Sequence, residues 1–241
     1  MQVITPRGLK LYARCPKRFS FSWHLKPVTT IECKTIEDII KSLYLYHARR
    51  GVLMPWKHIP PRAHQMLLET FKDLDATQEY KQTEHLLVKL SAWYNNHYLE
   101  EYCDEGVINL PVQMGLGTHL TLADEIDIVT MGKQLRLFDF DEVCDKQSLS
   151  TYTGLKVYND LAALAKVWLF WKATDIMPEQ YIRLVISAKS VKPIRLTITD
   201  RMVEKIEVFM RQLARGIQDE AYYPSFSEQC LHCPYKERCS I

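Results

Sequence analysis

The chain has 241 residues, of which 47% are hydrophobic and 25% charged, and a formal charge of +2. A chain of this kind buries a sizeable core, which excludes disorder, a collagen-like repeat and a small disulfide-stapled scaffold. The charge is too near neutral to predict a nucleic-acid partner, so any such partner must be recognised through local patches. Seven cysteines, an odd count, point to free thiols or metal ligands rather than a complete disulfide framework.

The first residues, MQVITPRGLKLYARCPKRF, hold no apolar stretch followed by a small-residue cleavage site. No window approaches the roughly 18 apolar residues of a membrane span. A cytosolic protein without a membrane partner is expected, in the host cytoplasm if a phage carries the gene. With 8 Gly, 11 Pro and no repeat or low-complexity tract, little room remains for a linker, and residues 1–241 are expected to form one domain.

Ile36, Ile39, Ile40, Leu43 and Tyr44 recur at helical spacing and predict a helix from Ile36 to Arg50, with a break at Pro60-Pro61. Leu67, Leu68 and Phe71, then Leu86, Leu87, Leu90, Trp93, Tyr94 and Tyr98, predict two more helices, separated by a polar seam near Thr77 to Thr83. Residues 36–104 are thus a helical part. After Gly106 the texture changes to short runs rich in β-branched and aromatic residues. Val107–Leu116, Thr118–Val129 and Gln134–Phe140 read as a three-stranded meander. An apolar helix from about Leu155 to Lys172 follows, then strands Tyr181–Ser187 and Ile194–Thr199. Thr199 or Asp200 can cap a last helix running to about Gln218. A β-β-β-α-β core over 107–199, with helices before it and a helix and cysteine-bearing tail over 200–241, argues for a mixed α/β sheet covered by helices.

Cys230, Cys233 and Cys239 fall in the last dozen residues as CLHCPYKERC, whereas Cys15 lies in YARCPKRF and Cys33, Cys103 and Cys144 are isolated. A C-x2-C turn presents two thiolates to one metal centre, and a third Cys after a further loop adds a ligand. Cys15 is the best candidate for the fourth, since it and Cys233 are both followed by Pro. His232 is a rival, placed awkwardly between two ligands. Four thiolates suit zinc as well as an iron–sulfur cluster.

TPRGLKLYARCPKRFSF, paired with the terminal C-x2-CP-x5-C, resembles the iron–sulfur branch of the PD-(D/E)XK nucleases. These are the RecB-like exonucleases that include CRISPR-associated nucleases and the nuclease domains of AddB-type helicases. The resemblance implies a restriction-endonuclease-like αβββαβ core, here with a helical insertion. It also implies a [4Fe–4S] cluster on Cys15, Cys230, Cys233 and Cys239. LTLADEIDIV resembles the family's first catalytic strand and places a metal-binding acid at Asp127. FDFDEV resembles its Asp-aromatic-Lys-Thr motif and places the second acid at Asp139. Together these two would hold Mg²⁺ or Mn²⁺, polarising a phosphodiester and activating water.

The sequence departs from the family at three places. The family's lysine, two residues after the second acid, is Asp141 here, a negative charge where positive potential is needed. No Gly-x-x-x-His stands near Lys34 to Asp38, and His47 is a poor substitute further along the helix. The Gln-x-x-x-Tyr motif expected near Tyr158 to Leu164 is absent from YNDLAALA. Lysines do move in this superfamily, so Lys146, Lys156 or Lys166 could reach the site. Among the basic residues, Lys17-Arg18 beside a cluster cysteine is the candidate nucleic-acid contact. The expected function is DNA binding or processing, of single strands or DNA ends, with a decayed nuclease centre and a structural cluster. An active Mg/Mn-dependent exonuclease with a relocated lysine is one alternative. A structural or protein-interaction subunit, partnered for instance by a helicase or a replication or recombination component, is another.

Overall fold

The computed structural model describes residues 2–22, 105–131, 134–142, 157–186, 191–225, 227, 230 and 233–239, together with Lys41, Pro61 and Gln65, which are helical. Most of the helical part expected over 36–104 lies outside the described residues, as do Cys33, Cys103, Cys144, His47, Lys146 and Lys156.

The chain starts with a short strand, β1 (Gln2–Ile4), and two helices, α1 (Pro6–Arg14) and α2 (Pro16–Ser22). Sequence periodicity did not single out these three elements. The Thr5 hydroxyl accepts the Gly8 N–H and Pro6 takes the first turn, where its missing N–H costs nothing, so the local signal was a capping one. Pro6, Leu9 and Tyr12 form the buried face of α1.

The meander follows as β2 (Glu105–Gly115), β3 (Leu120–Met131) and β4 (Leu135–Glu142). Then come α3 (Leu161–Thr174), β5 (Gln180–Ile186), β6 (Val191–Thr197) and α4 (Asp200–Gln218). The expected β-β-β-α-β order is observed, with ends shifted by a few residues. α3 begins later than the apolar run suggests because the Asp160 carboxylate accepts the Ala162 N–H and fixes the start. Pro193 sits within β6, which has one described partner strand and so can dispense with an N–H.

Six described strands form one mixed sheet. β3 lies at its centre, antiparallel to β2 along one edge. Its other edge is shared: β1 pairs in parallel with Leu120–Leu122 and β4 pairs antiparallel with Ile128–Met131. Neither neighbour pairs with residues 123–127. Beyond β4 the order continues through parallel β5 and antiparallel β6. α3 is apolar on nearly every side, and it packs on β2 and β3 and between α1 and α4, burying Trp168, Val167 and Leu169. α4 is amphipathic, with Val203, Ile206, Met210, Leu213 and Ile217 inward. Gly216 lets α4 approach α1: a Cβ there would lie 2.5 Å from the Tyr12 hydroxyl, which donates to the Ala221 carbonyl at 3.1 Å.

Candidate functional site

The gap in the edge of β3 is where the acids meet. The β3–β4 ladder runs from Met131↔Leu135 to Ile128↔Phe138 and stops. The next pair in register would be Asp127 with Asp139, so the two carboxylates selected from the sequence come together where the strands part. On the edge facing β3, the Phe140 N–H donates to Asp127 Oδ2 at 3.1 Å in place of a backbone partner. On the other side, the β2–β3 register omits Asn109, which adopts a left-handed backbone (φ 52°) that Asn tolerates better than most residues. Asn109 Oδ1 and Asp127 Oδ1 both accept from the buried ammonium of Lys41, at 2.6 and 2.9 Å.

Asp139 is buried and held more tightly still. Lys166, carried across β3 by α3, donates to Oδ1 at 2.5 Å, and the Tyr181 hydroxyl donates to Oδ2 at 2.6 Å. Lys166 also reaches the Glu125 carbonyl at 3.3 Å and Asp124 Oδ2 at 3.4 Å. Arg183 lies 3.8 Å from Asp139, 3.5 Å from Asp141 and 2.6 Å from Asp160. Asp160, the cap of α3, completes the chain with a 2.7 Å ion pair to Lys10 of α1. Asp141, the residue in the lysine position, is therefore an ion-pair partner of Arg183 at the edge of this network. Lys166 is the one proposed relocated lysine within the described residues, and it does reach an acid. Sequence reasoning did not find Lys41, Asn109, Asp124, Asp160, Tyr181 or Arg183. Only Arg183 and Tyr181 left a trace, as polar groups at odds with the apolar run of β5.

The electrostatics follow from burial and pairing. Burial, and then the neighbouring Asp139 charge, push the Asp127 carboxyl up from its usual value to about 6. Burial works the same way on Asp139, yet Lys166 and Arg183 outweigh it and hold that carboxyl well below the usual range. Burial disfavours charge on Lys166 as well, but Asp139 and Asp124 more than compensate and raise it. Because Asp127 binds its proton more tightly folded than unfolded, the native state holds the extra proton between about pH 4 and 6, and stability falls as pH rises through that window. The expected loss is on the order of 3 kcal/mol. Urea midpoints measured from pH 4 to 7 should decline in the wild type and stay flatter in Asp127→Asn. Below the ordinary carboxylate range Asp139 acts in the opposite sense, so stability falls there as pH decreases.

Whether these acids suit Mg²⁺ or Mn²⁺ is decided by their donors. All four oxygens of Asp127 and Asp139 already accept from the protein: Lys41, the Phe140 N–H, Lys166 and Tyr181. Two of those donors are ammonium groups standing where a cation would bind, so the arrangement does not fit a catalytic metal. Among the described residues, no three His, Cys, Asp or Glu side chains are grouped to hold a metal ion.

Cys15 lies at the C-terminal end of α1 and caps it, and its sulfur accepts the Arg18 N–H of α2 at 3.4 Å. The tail is packed against this point. The Lys17 N–H donates to the Tyr223 carbonyl, Phe19 lies against Tyr222, and Phe21 meets the ring of Tyr235 at 5.4 Å. Tyr235 lies between Cys233 and Cys239, and the Cys233 N–H donates to the Cys230 carbonyl. Cys15, Cys230, Cys233 and Cys239 are free and partly exposed. All four are among the described residues and no three of them are grouped to hold a metal ion, so the structure leaves these thiols apart, although four thiolates as a donor set suit an iron–sulfur cluster or zinc. Lys17 and Arg18 sit on α2 at this end.

No protein-family model and no curated protein matches the sequence. Among solved structures, the chain is similar to a candidate exonuclease from Eubacterium rectale, with a TM-score of 0.54 and 9% identity over 100% of this chain and 89% of that one. The chain has a nuclease-like fold. The crystal structure of SSO0001 is also similar, at a TM-score of 0.45 and 10% identity, covering 100% of this chain and 87% of that one. In this nuclease-like fold the split between β3 and β4 presents Asp127 and Asp139. No helix among the described residues is long and apolar enough to cross a membrane.

Proposed function

We propose that this chain is a DNA-binding protein built on a nuclease fold whose metal centre has been replaced by fixed cations. One observation carries the reading: every oxygen of Asp127 and Asp139 is engaged by a protein donor, with Lys41 and Lys166 supplying the positive charge. Asp141 in the lysine position supports it, since its charge serves Arg183 instead of a phosphate. Single strands or DNA ends are the expected substrates, and a helicase or recombination component is a natural protein partner for such a module. A [4Fe–4S] cluster on Cys15, Cys230, Cys233 and Cys239 would tie the chain ends together as a structural element.

The contact between Lys166 and Asp139 favours a second reading, a metal-dependent exonuclease in which Lys166 is the relocated lysine. Incubating the protein with a labelled single strand and Mn²⁺ separates the two. The strand is expected to stay intact and to be bound with an affinity that falls steeply as salt rises. Mn²⁺-dependent degradation that vanishes in Asp127→Ala would establish the exonuclease. Absence of any affinity at low salt would point instead to a protein-interaction subunit.

A further inference from the structure

A cavity of about 260 Å³ opens beside the paired acids, between α1 and the start of α3. Its rim comes from one face of α1, where Arg7, Lys10 and Arg14 recur at helical spacing opposite the buried Pro6, Leu9 and Tyr12. Its floor carries Lys166 and Arg183 with Asp139, Asp141 and Asp160. Five basic side chains thus face three acidic ones. The acids are committed: Asp139 to Lys166 and Tyr181, Asp160 to Lys10 and Arg183, and Asp141 to Arg183. Arg7 and Arg14 have no ion-pair partner among the described residues, and both are exposed.

We infer that this cavity binds the terminal phosphate of a DNA strand, with Arg7 and Arg14 as its clamp. The inference rests on the reading of the chain as a DNA binder and names what one part of its surface recognises. Three features select a terminal phosphate over an internal one. The cationic surplus is two, which matches the double charge of a phosphate monoester, whereas a diester carries one. The floor is closed by Asp139 and Arg183, both nearly inaccessible to solvent, so a strand that enters must end there. Leu11 and Ala162 give an apolar wall suited to the sugar beside the phosphate. Two guanidinium forks at the rim suit planar, bidentate contact with phosphate oxygens.

The test compares binding of one single-stranded oligonucleotide carrying a phosphate at either end, at both or at neither, to the full-length chain. A phosphorylated end is expected to bind about tenfold more tightly than a hydroxyl end, the effect of one charge-assisted contact. That difference should disappear in the Arg7→Ala/Arg14→Ala variant, whose melting temperature should match the wild type because both side chains are exposed. Equal binding of all the oligonucleotides would overturn this inference and leave the DNA reading standing. Failure to bind any of them would overturn the DNA reading, and the inference with it.

Discussion

Replacing Asp139 with alanine is expected to lower the unfolding free energy by about 3–5 kcal/mol, the usual cost of stranding buried partners of an ion pair. Lys166, Arg183 and Tyr181 all direct donors at this carboxylate from a site that is nearly inaccessible to solvent. Without it, two cations face each other in a poorly solvated pocket. In a site built to hold a divalent cation the sign would differ, because two adjacent carboxylates repel and deleting one relieves the other. Here the cations are covalently part of the protein and cannot leave with the charge they balance. Urea denaturation at neutral pH gives the loss directly. Adding Lys166→Met to Asp139→Ala should recover part of it, since an unpaired ammonium costs more than an absent one. Mn²⁺ should leave the wild-type midpoint unchanged, whereas a metal-binding centre would be stabilised by mass action. A stable Asp139→Ala protein, or a wild type stabilised by Mn²⁺, would count against fixed cations as the occupants of this site.

The sequence was informative where the physics is periodic or local. The meander, β5, β6 and α4 were legible because burial imposes a period on apolar residues, α3 because it is a long unbroken apolar run, and the Asp127–Asp139 spacing because an antiparallel register is arithmetic. The first 22 residues were legible only as a cysteine motif, since a three-residue strand and a nine-residue helix are too short for periodicity to stand out. The counter-ions were the harder problem. Lys41 reaches Asp127 across 86 positions and Lys166 reaches Asp139 across 27, and nothing in the local spacing of either lysine reports a distant partner. The absence of lysine at Asp141 was readable as a defect in a metal site. That its neighbours supply a network of fixed charges, running from Asp139 through Arg183 and Asp160 to Lys10, required the fold.

Anaerobically purified protein is expected to contain about four iron and four sulfide per chain and to show the broad visible absorption of a [4Fe–4S] cluster. Joining residue 15 to residues 230, 233 and 239 spans nearly the whole chain, and cross-links closing loops of that order stabilise by about 5 kcal/mol in the chain-entropy model. The described packing at this end already places Leu9, Tyr12 and Phe19 in the buried core, with aromatic contacts from Phe19 and Phe21 to Tyr222 and Tyr235 and hydrogen bonds at Tyr12 and Lys17. Ligation would add to contacts that already bring the segments together, so less of its free energy is spent on ordering the tail. Cys15→Ser should therefore bleach the absorption and lower the unfolding midpoint far more than serine at Cys33, Cys103 or Cys144. Measuring metal content and stability on the same samples separates two claims. Stoichiometric zinc with the same loss in Cys15→Ser would replace the cluster but keep the staple. A metal-free protein whose stability is indifferent to Cys15→Ser would remove both, leaving the pairing of β1 with β3 and the packing of α1 and α2 to hold the ends of the nuclease-like fold together.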